Sequence, residues 1–306
     1  MCFLSGRYLR GEKLMGITAI SSFRGVGSTG TLFLVPTPIG NLGDMSHRAI
    51  ETLASVDLIA AEDTRNTQKL LNHFEIKTRQ ISFHEYNTQE RLPQLIAKLQ
   101  QGINVAQVSD AGMPSISDPG YELVQACVRE KIKVVPIPGP NAALTALIAS
   151  GLCPQPFLFY GFLSRKNTER RNELGDLATQ PMTIIFYEAP HRLGKTLKSL
   201  STILGSDRHI VLCRELTKRY EEFLRGTISD ALEWVEKAEV KGEFVLIVEG
   251  NTKPKAKEPQ MVLPLEQQVE VLIETQGLKP NEAIKQVAKQ NKLKKQFVYN
   301  EYHHLN

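Results

Sequence analysis

Short apolar runs alternate with amphipathic stretches along most of the chain. Runs at 31–35, 56–61, 80–83, 103–108 and 133–137 are bounded by Gly, Pro, Asn or Asp and predict strands. Between them the apolar period lengthens to that of a helix. Ile50 and Leu53 mark one helix over 46–55, Leu70, Leu71 and Phe74 a second, and Leu92, Leu95, Ile96 and Leu99 share one face of a third. Further helices are predicted over 120–129 and, rich in small residues, up to Ser150. Strands and helices in this alternation predict a mostly parallel sheet with helices on both faces.

Residues 151–156 read as a linker, and the pattern then changes. Strands are predicted at 157–162, 182–187, 210–214, 222–226 and 243–248, with helices over 168–178, 191–204 and 229–238. The strands near Cys213 and Phe223 leave no room for a long helix between them, which predicts an antiparallel pair in a mixed sheet. After a charged, proline-containing linker at 251–261 the strand signal stops. Val269, Leu272 and Ile273 predict a helix ended by Gly277. A second, capped by Asn281, buries Ala283, Ile284, Val287 and Ala288, and a third brings Val298, Tyr302 and Leu305 together. The expected organisation is an extension without fold (1–30), two α/β domains (31–152 and 153–250), a linker (251–261) and a helix-turn-helix-like unit (262–306).

Composition narrows the class. With 306 residues, 42% hydrophobic and 23% charged, the chain suits a globular protein with a full core. The net charge of +4 is modest, so its distribution matters more than its total. The four cysteines form no C-x-x-C pair, which argues against a disulfide framework or zinc site and predicts a reducing, cytoplasmic setting. No apolar run is long enough to span a membrane. Met15 stands as an alternative start. Gly25-Val-Gly27-Ser-Thr-Gly30 matches a dinucleotide fingerprint in letters only, because it precedes the first strand instead of following one.

The candidate chemistry sits at predicted strand ends. The loop 109–120 combines Asp110 and Asp118 with Gly112, Pro114, Pro119 and Gly120, more than a simple turn requires, and is the leading ligand site. Loops 36–44 and 138–142 end neighbouring strands and would share its pocket. None carries a phosphate-loop pattern, so nucleotide hydrolysis is not expected. Glu188 and His191 open a helix at another strand end and could do acid/base work or merely cap it. The charge-rich stretch 213–222 contains Arg214, Glu215 and Lys218, and His84 lies at a comparable end in the first half. No His, Cys, Asp and Glu arrangement suits a metal. Lys289, Lys292, Lys294 and Lys295 cluster on the terminal helices, where phosphates are the expected partner.

Several stretches together carry a resemblance: Leu34-Val-Pro-Thr-Pro-Ile-Gly-Asn-Leu-Gly-Asp44, Ala61-Glu-Asp-Thr-Arg65, Ser109-Asp-Ala-Gly-Met-Pro114, Ser117-Asp-Pro-Gly120, Pro136-Ile-Pro-Gly-Pro-Asn-Ala142, Phe186-Tyr-Glu-Ala-Pro-His-Arg192 and Cys213-Arg-Glu-Leu-Thr-Lys218. The chain resembles the tetrapyrrole methylase superfamily (class III S-adenosylmethionine methyltransferases) and, within it, the bacterial family of 16S ribosomal RNA cytidine 2′-O-methyltransferases. Met113 stands where that family commonly has Thr. The resemblance implies two α/β domains with S-adenosyl-L-methionine between them, a homodimer, and a terminal helical unit that engages RNA of the small ribosomal subunit. It implies cofactor contacts from Pro38, Asp110, Ala111, Gly112, Met113, Ser115, Ile116, Asn141, Ala142 and Tyr187. For in-line methyl transfer to a ribose hydroxyl, which needs no metal, Glu188, His191, Glu215 and Lys218 are the candidate catalytic groups. Arg65, His84, Arg192, Arg214 and the four lysines are the candidate RNA contacts. Two rivals remain: a methyltransferase acting on a small tetrapyrrole precursor, which has no need of the basic tail, and a non-catalytic RNA-binding assembly factor.

Overall fold

The structure is a computed structural model and describes residues 20–22, 28–252, 263–291 and 293–305. The expected extension and linker therefore fall largely outside the described residues, as does Lys292. The chain divides into two compact units, up to Asn251 and from Thr252 onward.

The first unit contains two five-stranded sheets. In the first, β1 (Thr31–Leu34), β2 (Leu58–Ala61), β3 (Gln80–Ser82), β4 (Val105–Val108) and β5 (Lys133–Pro136) are all parallel, in the order β3-β2-β4-β1-β5. The crossovers are α1 (His47–Ser55), α2 (Thr64–His73), α3 (Thr88–Gln100) and α4 (Tyr121–Arg129). From β1 to β3 the chain moves toward one edge, and from β3 to β5 it moves back across. Right-handed crossovers then place α1 and α2 on one face and α3 and α4 on the other. The cores agree: Leu53 and Leu71 pack with Val35 and Ile59, whereas Leu95 and Leu123 pack with Leu32 and Ala60. The neighbours β1 and β4 thus send their chains to opposite faces, opening a crevice at their carboxyl ends.

The second sheet holds β6 (Phe157–Phe162), β7 (Thr183–Glu188), β8 (His209–Arg214), β9 (Glu222–Thr227) and β10 (Phe244–Val248), in the order β6-β7-β10-β8-β9. Only β6 and β7 are parallel; β8 and β9 form the expected antiparallel pair. One face is covered by α6 (Asn167–Leu177), α7 (Pro190–Leu204) and α8 (Ile228–Lys237). The other is covered by α5 (Ala142–Ser150), which follows β5 of the first sheet in the chain. Its Ala143, Ala146 and Leu147 pack on Ile185, Val211, Val245 and Ile247. Arg225 of β9 donates to the carbonyls of Ser150 (3.1 Å) and Ala149 (2.6 Å), satisfying the last turn of α5.

In the second unit α9 (Leu265–Gln276), α10 (Pro280–Gln290) and α11 (Lys295–Tyr302) surround Val269, Ile284, Val287 and Val298. Gly277 ends α9 in the left-handed region, as expected. Two expectations need correction. Asn281 does not cap α10: Pro280 takes the first helical position, where its missing N–H costs nothing, so the cap falls on Lys279. Glu282 instead accepts from the Lys279 N–H at 3.3 Å. Leu305 does not join Val298, because α11 ends at Tyr302 and leaves Leu305 exposed. Among the described residues no helix is long and apolar enough to cross a membrane.

Candidate active site

The crevice between β1 and β4 is closed at its base by a small network. The Thr37 N–H donates to the Gly112 carbonyl and the Gly112 N–H to the Thr37 carbonyl, both at 3.0 Å. The Thr37 hydroxyl donates to the Ser109 carbonyl at 3.0 Å, and the Ser109 hydroxyl to that of Gly112 at 3.3 Å. The loop is anchored from below by Gln107, the polar residue of an otherwise apolar, buried β4. Its amide donates to the Pro119 carbonyl (2.7 Å) and to Ser115 Oγ (3.3 Å). A Cβ on Gly120 would lie 1.6 Å from that amide nitrogen, so only glycine fits there.

Above this network lies a cavity of about 560 Å³, lined by both sheets' loops. Its volume is within the range of about 300–1,000 Å³ that takes drug-sized ligands. Glu62, Asp110 and Asp118 form an acidic wall; Ile39, Met113, Ile116, Phe162, Leu216 and Val245 form apolar surface. The Asp110 N–H donates to Glu62 at 3.1 Å. Burial pushes the Glu62 carboxyl above its ordinary range, against that hydrogen bond and with the nearby Asp118, Asp110 and Asp63 charges adding to the rise. Burial raises Asp118 too, opposed by the Ser109 hydroxyl and reinforced by Asp110. Among the described residues none of the three carboxylates has an ion pair; Arg65, paired with Asp63, acts on Asp110 from a distance.

The predicted cofactor residues mostly meet here. Asp110, Ala111, Gly112, Met113, Ile116, Asn141, Ala142 and Tyr187 line the cavity. Pro38 lines a neighbouring recess, and Ser115 faces Gln107 below the loop. Asn141 caps α5 by accepting from the Leu144 N–H, and the Tyr187 hydroxyl accepts from the Ala143 N–H at 3.2 Å, so both fix that helix N-terminus. Tyr187 stacks edge-on with Phe159 and Phe162, and its hydroxyl is raised by burial, opposed by the Ala143 N–H and aided by Asp118.

The predicted catalytic groups separate. Glu188 is buried, and it accepts from the Ala189 N–H (2.9 Å), Arg192 Nε (3.1 Å) and the Thr196 hydroxyl (2.5 Å). Glu215 pairs with Lys218 (3.0 Å) and accepts from the Glu243 N–H (2.9 Å); Lys218 also reaches Glu243 (2.7 Å). Burial disfavours the charged form of each. The Glu243 amide and Lys218 nevertheless hold Glu215 low, and the two glutamates hold Lys218 high. Glu215 and Lys218 do not line the cavity, whereas Glu188 and His191, the latter exposed at the start of α7, do. The His191 imidazole has no hydrogen-bond partner among the described residues.

Among the predicted RNA contacts, Arg192 also donates to the Leu163 carbonyl (2.6 Å), while Arg214 donates to the Lys241 carbonyl and Glu222, both at 2.7 Å. Both are held inside the fold. Arg65 is exposed and paired with Asp63, and His84 starts a short turn through Asn87. Lys289, Lys294 and Lys295 are exposed on the second unit. Sequence reasoning missed Ile39, Glu62, Phe162, Leu216 and Glu243 as cavity residues. Glu62 had a signal, a carboxylate directly after β2; the others depend on how the second sheet meets the first.

The chain belongs to the tetrapyrrole (corrin/porphyrin) methylase family, whose model matches residues 31–232. Within that class it belongs with the proteins named ribosomal RNA small subunit methyltransferase I. It is 54% identical over 278 residues to the one from Halalkalibacterium halodurans, covering 90% of this chain and 95% of that protein. It is 51% identical over 285 residues to the Bacillus subtilis protein of that name, covering 92% and 97%. Solved structures share the fold at low identity. A cobalt precorrin-4 methyltransferase matches with a TM-score of 0.56 at 17% identity, covering 72% of this chain and 94% of that one. A Thermus thermophilus uroporphyrin-III C-methyltransferase complexed with S-adenosylhomocysteine matches at 0.53 and 18%, covering 72% and 97%.

Proposed function

We propose that this chain is an S-adenosyl-L-methionine-dependent ribosomal RNA methyltransferase acting on the 2′-hydroxyl of a cytidine in the decoding region of 16S rRNA, within the small ribosomal subunit in the cytoplasm. The observation that carries the methyl-donor assignment is the acidic wall of the cavity. Glu62, Asp110 and Asp118 present negative charge beside apolar surface. That donor set fits a cationic sulfonium on an apolar body. When bound, S-adenosylmethionine supplies an activated methyl group. The chain's own residues do the rest. Asp110 and Glu62 attract the positive charge; Met113, Ile116, Phe162 and Val245 exclude water. His191, free at the cavity wall, takes the proton of the ribose hydroxyl. Glu188 and the Glu215–Lys218 pair hold the walls in place.

The RNA assignment is supported by the close relatives' names and by the exposed lysines of the terminal helices. The two sheets act as two domains, with the second unit engaging RNA. A homodimer is supported by Leu144 and Ile148, one turn apart on α5 and exposed, the latter at 79%. The test is to incubate the protein with labelled S-adenosylmethionine and small subunits, naked rRNA or a tetrapyrrole precursor, and map the methyl group. Label on a cytidine 2′-oxygen of the subunit is expected. Label on the tetrapyrrole, or on none, overturns the reading.

A further inference from the structure

Beside the main cavity lies a smaller recess of about 250 Å³, between the loop after β1 and helix α2. It falls just below the roughly 300 Å³ at which pockets take drug-sized ligands, and so suits a single heterocycle. Asp110 lines both spaces, so whatever enters the recess sits next to the proposed methyl donor.

The polar groups of the recess are incompletely used. Thr67 is only 4% exposed, lines the recess, and its hydroxyl has no hydrogen-bond partner among the described residues. Thr52 and Thr202, by contrast, return their hydroxyls to the carbonyls of Arg48 (2.7 Å) and Lys198 (2.8 Å) one turn back. A hydroxyl that opens onto the recess without a partner inside the protein is available to a ligand there. Lys69, two residues on and exposed, also lines the recess and has no ion pair among the described residues. Asn66 donates to Asp110 at 3.1 Å, which leaves its own carbonyl oxygen as an acceptor. The recess thus offers donors from Thr67 and Lys69 and acceptors from Asp110 and Asn66.

This mixture selects among ligand classes. A phosphate would meet the Asp110 carboxylate at short range, and an apolar group would leave Thr67 unsatisfied. A planar ring carrying both donors and acceptors on one edge satisfies both sides. We infer that the recess receives the base of the nucleotide whose ribose is methylated, and that Thr67 and Lys69 are specificity-determining residues. This inference rests on the RNA reading above. A cytosine edge would offer its amino group to Asp110 and its ring nitrogen and carbonyl to Lys69 and Thr67; a uracil edge reverses the first two.

The experiment uses the full chain with small ribosomal subunits that lack the methyl group. It compares the natural acceptor nucleotide with one whose base exchanges donors for acceptors, uridine for cytidine. Wild type is expected to prefer the natural base. Thr67→Val and Lys69→Ala should each raise KM for subunits about three- to tenfold with kcat held, the loss of one substrate hydrogen bond. The preference between the two bases should shrink in both variants, a change that a structural role would not produce. Calorimetric affinity for S-adenosylmethionine should stay unchanged. Lys69 is exposed, so its variant keeps the test open if Thr67→Val folds poorly. Unchanged KM and unchanged base preference in the variants, with an active wild type, overturn the inference. If wild type itself methylates no subunit or rRNA, the RNA reading fails first and this inference falls with it.

Discussion

Glu62 and Asp118 have carboxyl pKa values raised above the ordinary 4.5 and 3.8, first of all by burial. A carboxyl raised in the folded state favours folding while it is protonated, and that contribution is lost as pH rises through the folded value. At neutral pH, therefore, the free protein carries these charges at a cost that a bound cation would relieve. Glu62→Gln keeps the acceptor for the Asp110 N–H and removes the charge. It should raise the melting temperature of the free protein at pH 7 while weakening S-adenosylmethionine binding. Affinity in the wild type should fall as pH is lowered from neutrality toward the raised carboxyl values. Calorimetry over that interval checks both, and a flat profile would remove the acidic wall from cofactor binding. At Gly120 the constraint is steric: φ is +134° and a side chain would strike the Gln107 amide. Gly120→Ala should cost about 1–3 kcal/mol through backbone strain alone and lower cofactor affinity, because the anchored loop must shift. Adding Gln107→Ala should restore part of the loss, since the collision with Gln107 is removed while the contact with Ser115 Oγ at 2.5 Å and the backbone strain remain; purely additive effects would contradict that coupling.

At the scale of elements, alternation along β7 decides what its terminal carboxylate does. Ile184 and Phe186 face α6, α7 and α8, while Ile185 and Tyr187 face α5 and the cavity side. Glu188 falls in register with Phe186 and turns toward α7, where Arg192 and Thr196 receive it. Glu188→Gln is expected to lower stability by about 1–3 kcal/mol, the cost of weakening a buried charged network, with kcat little changed. His191→Ala should leave the melting temperature intact and lower kcat by about 10²–10⁴-fold, the usual contribution of a general base. The reverse pattern would return the proton transfer to Glu188. The strands, crossover helices and three Gly/Pro loops were legible because each follows from local periodicity and turn chemistry. The placement of α5 was not: Ala-Ala-Leu-Thr-Ala-Leu-Ile-Ala-Ser is apolar on nearly every side, so its pattern names no preferred face. For the same reason Arg192 and Arg214 read as free cations, although carbonyls of Leu163 and Lys241, distant in sequence, hold them.

At the scale of the molecule, the first unit has the methyl-transfer cavity and the second has its own core. Val269, Ala283, Ile284, Val287 and Val298 form a core shared by α9, α10 and α11. A chain truncated by removing 262–306 should keep its cofactor affinity and melting behaviour. Its interaction with small subunits should change in a specific way. Lys289, Lys294 and Lys295 are exposed, and each phosphate they neutralise releases condensed counterions. Contacts by all three would make the plot of log affinity against log salt shallower by about two to three after truncation, roughly 0.7–0.9 per phosphate. Replacing Lys294 alone should change the slope by about one and weaken binding similarly for different RNA sequences. A truncated enzyme that methylates subunits normally, with the full chain's salt dependence, would place RNA recognition wholly in the first unit. An altered slope with unchanged base preference would divide the labour, with the helices supplying affinity and the cavity side reading the nucleotide.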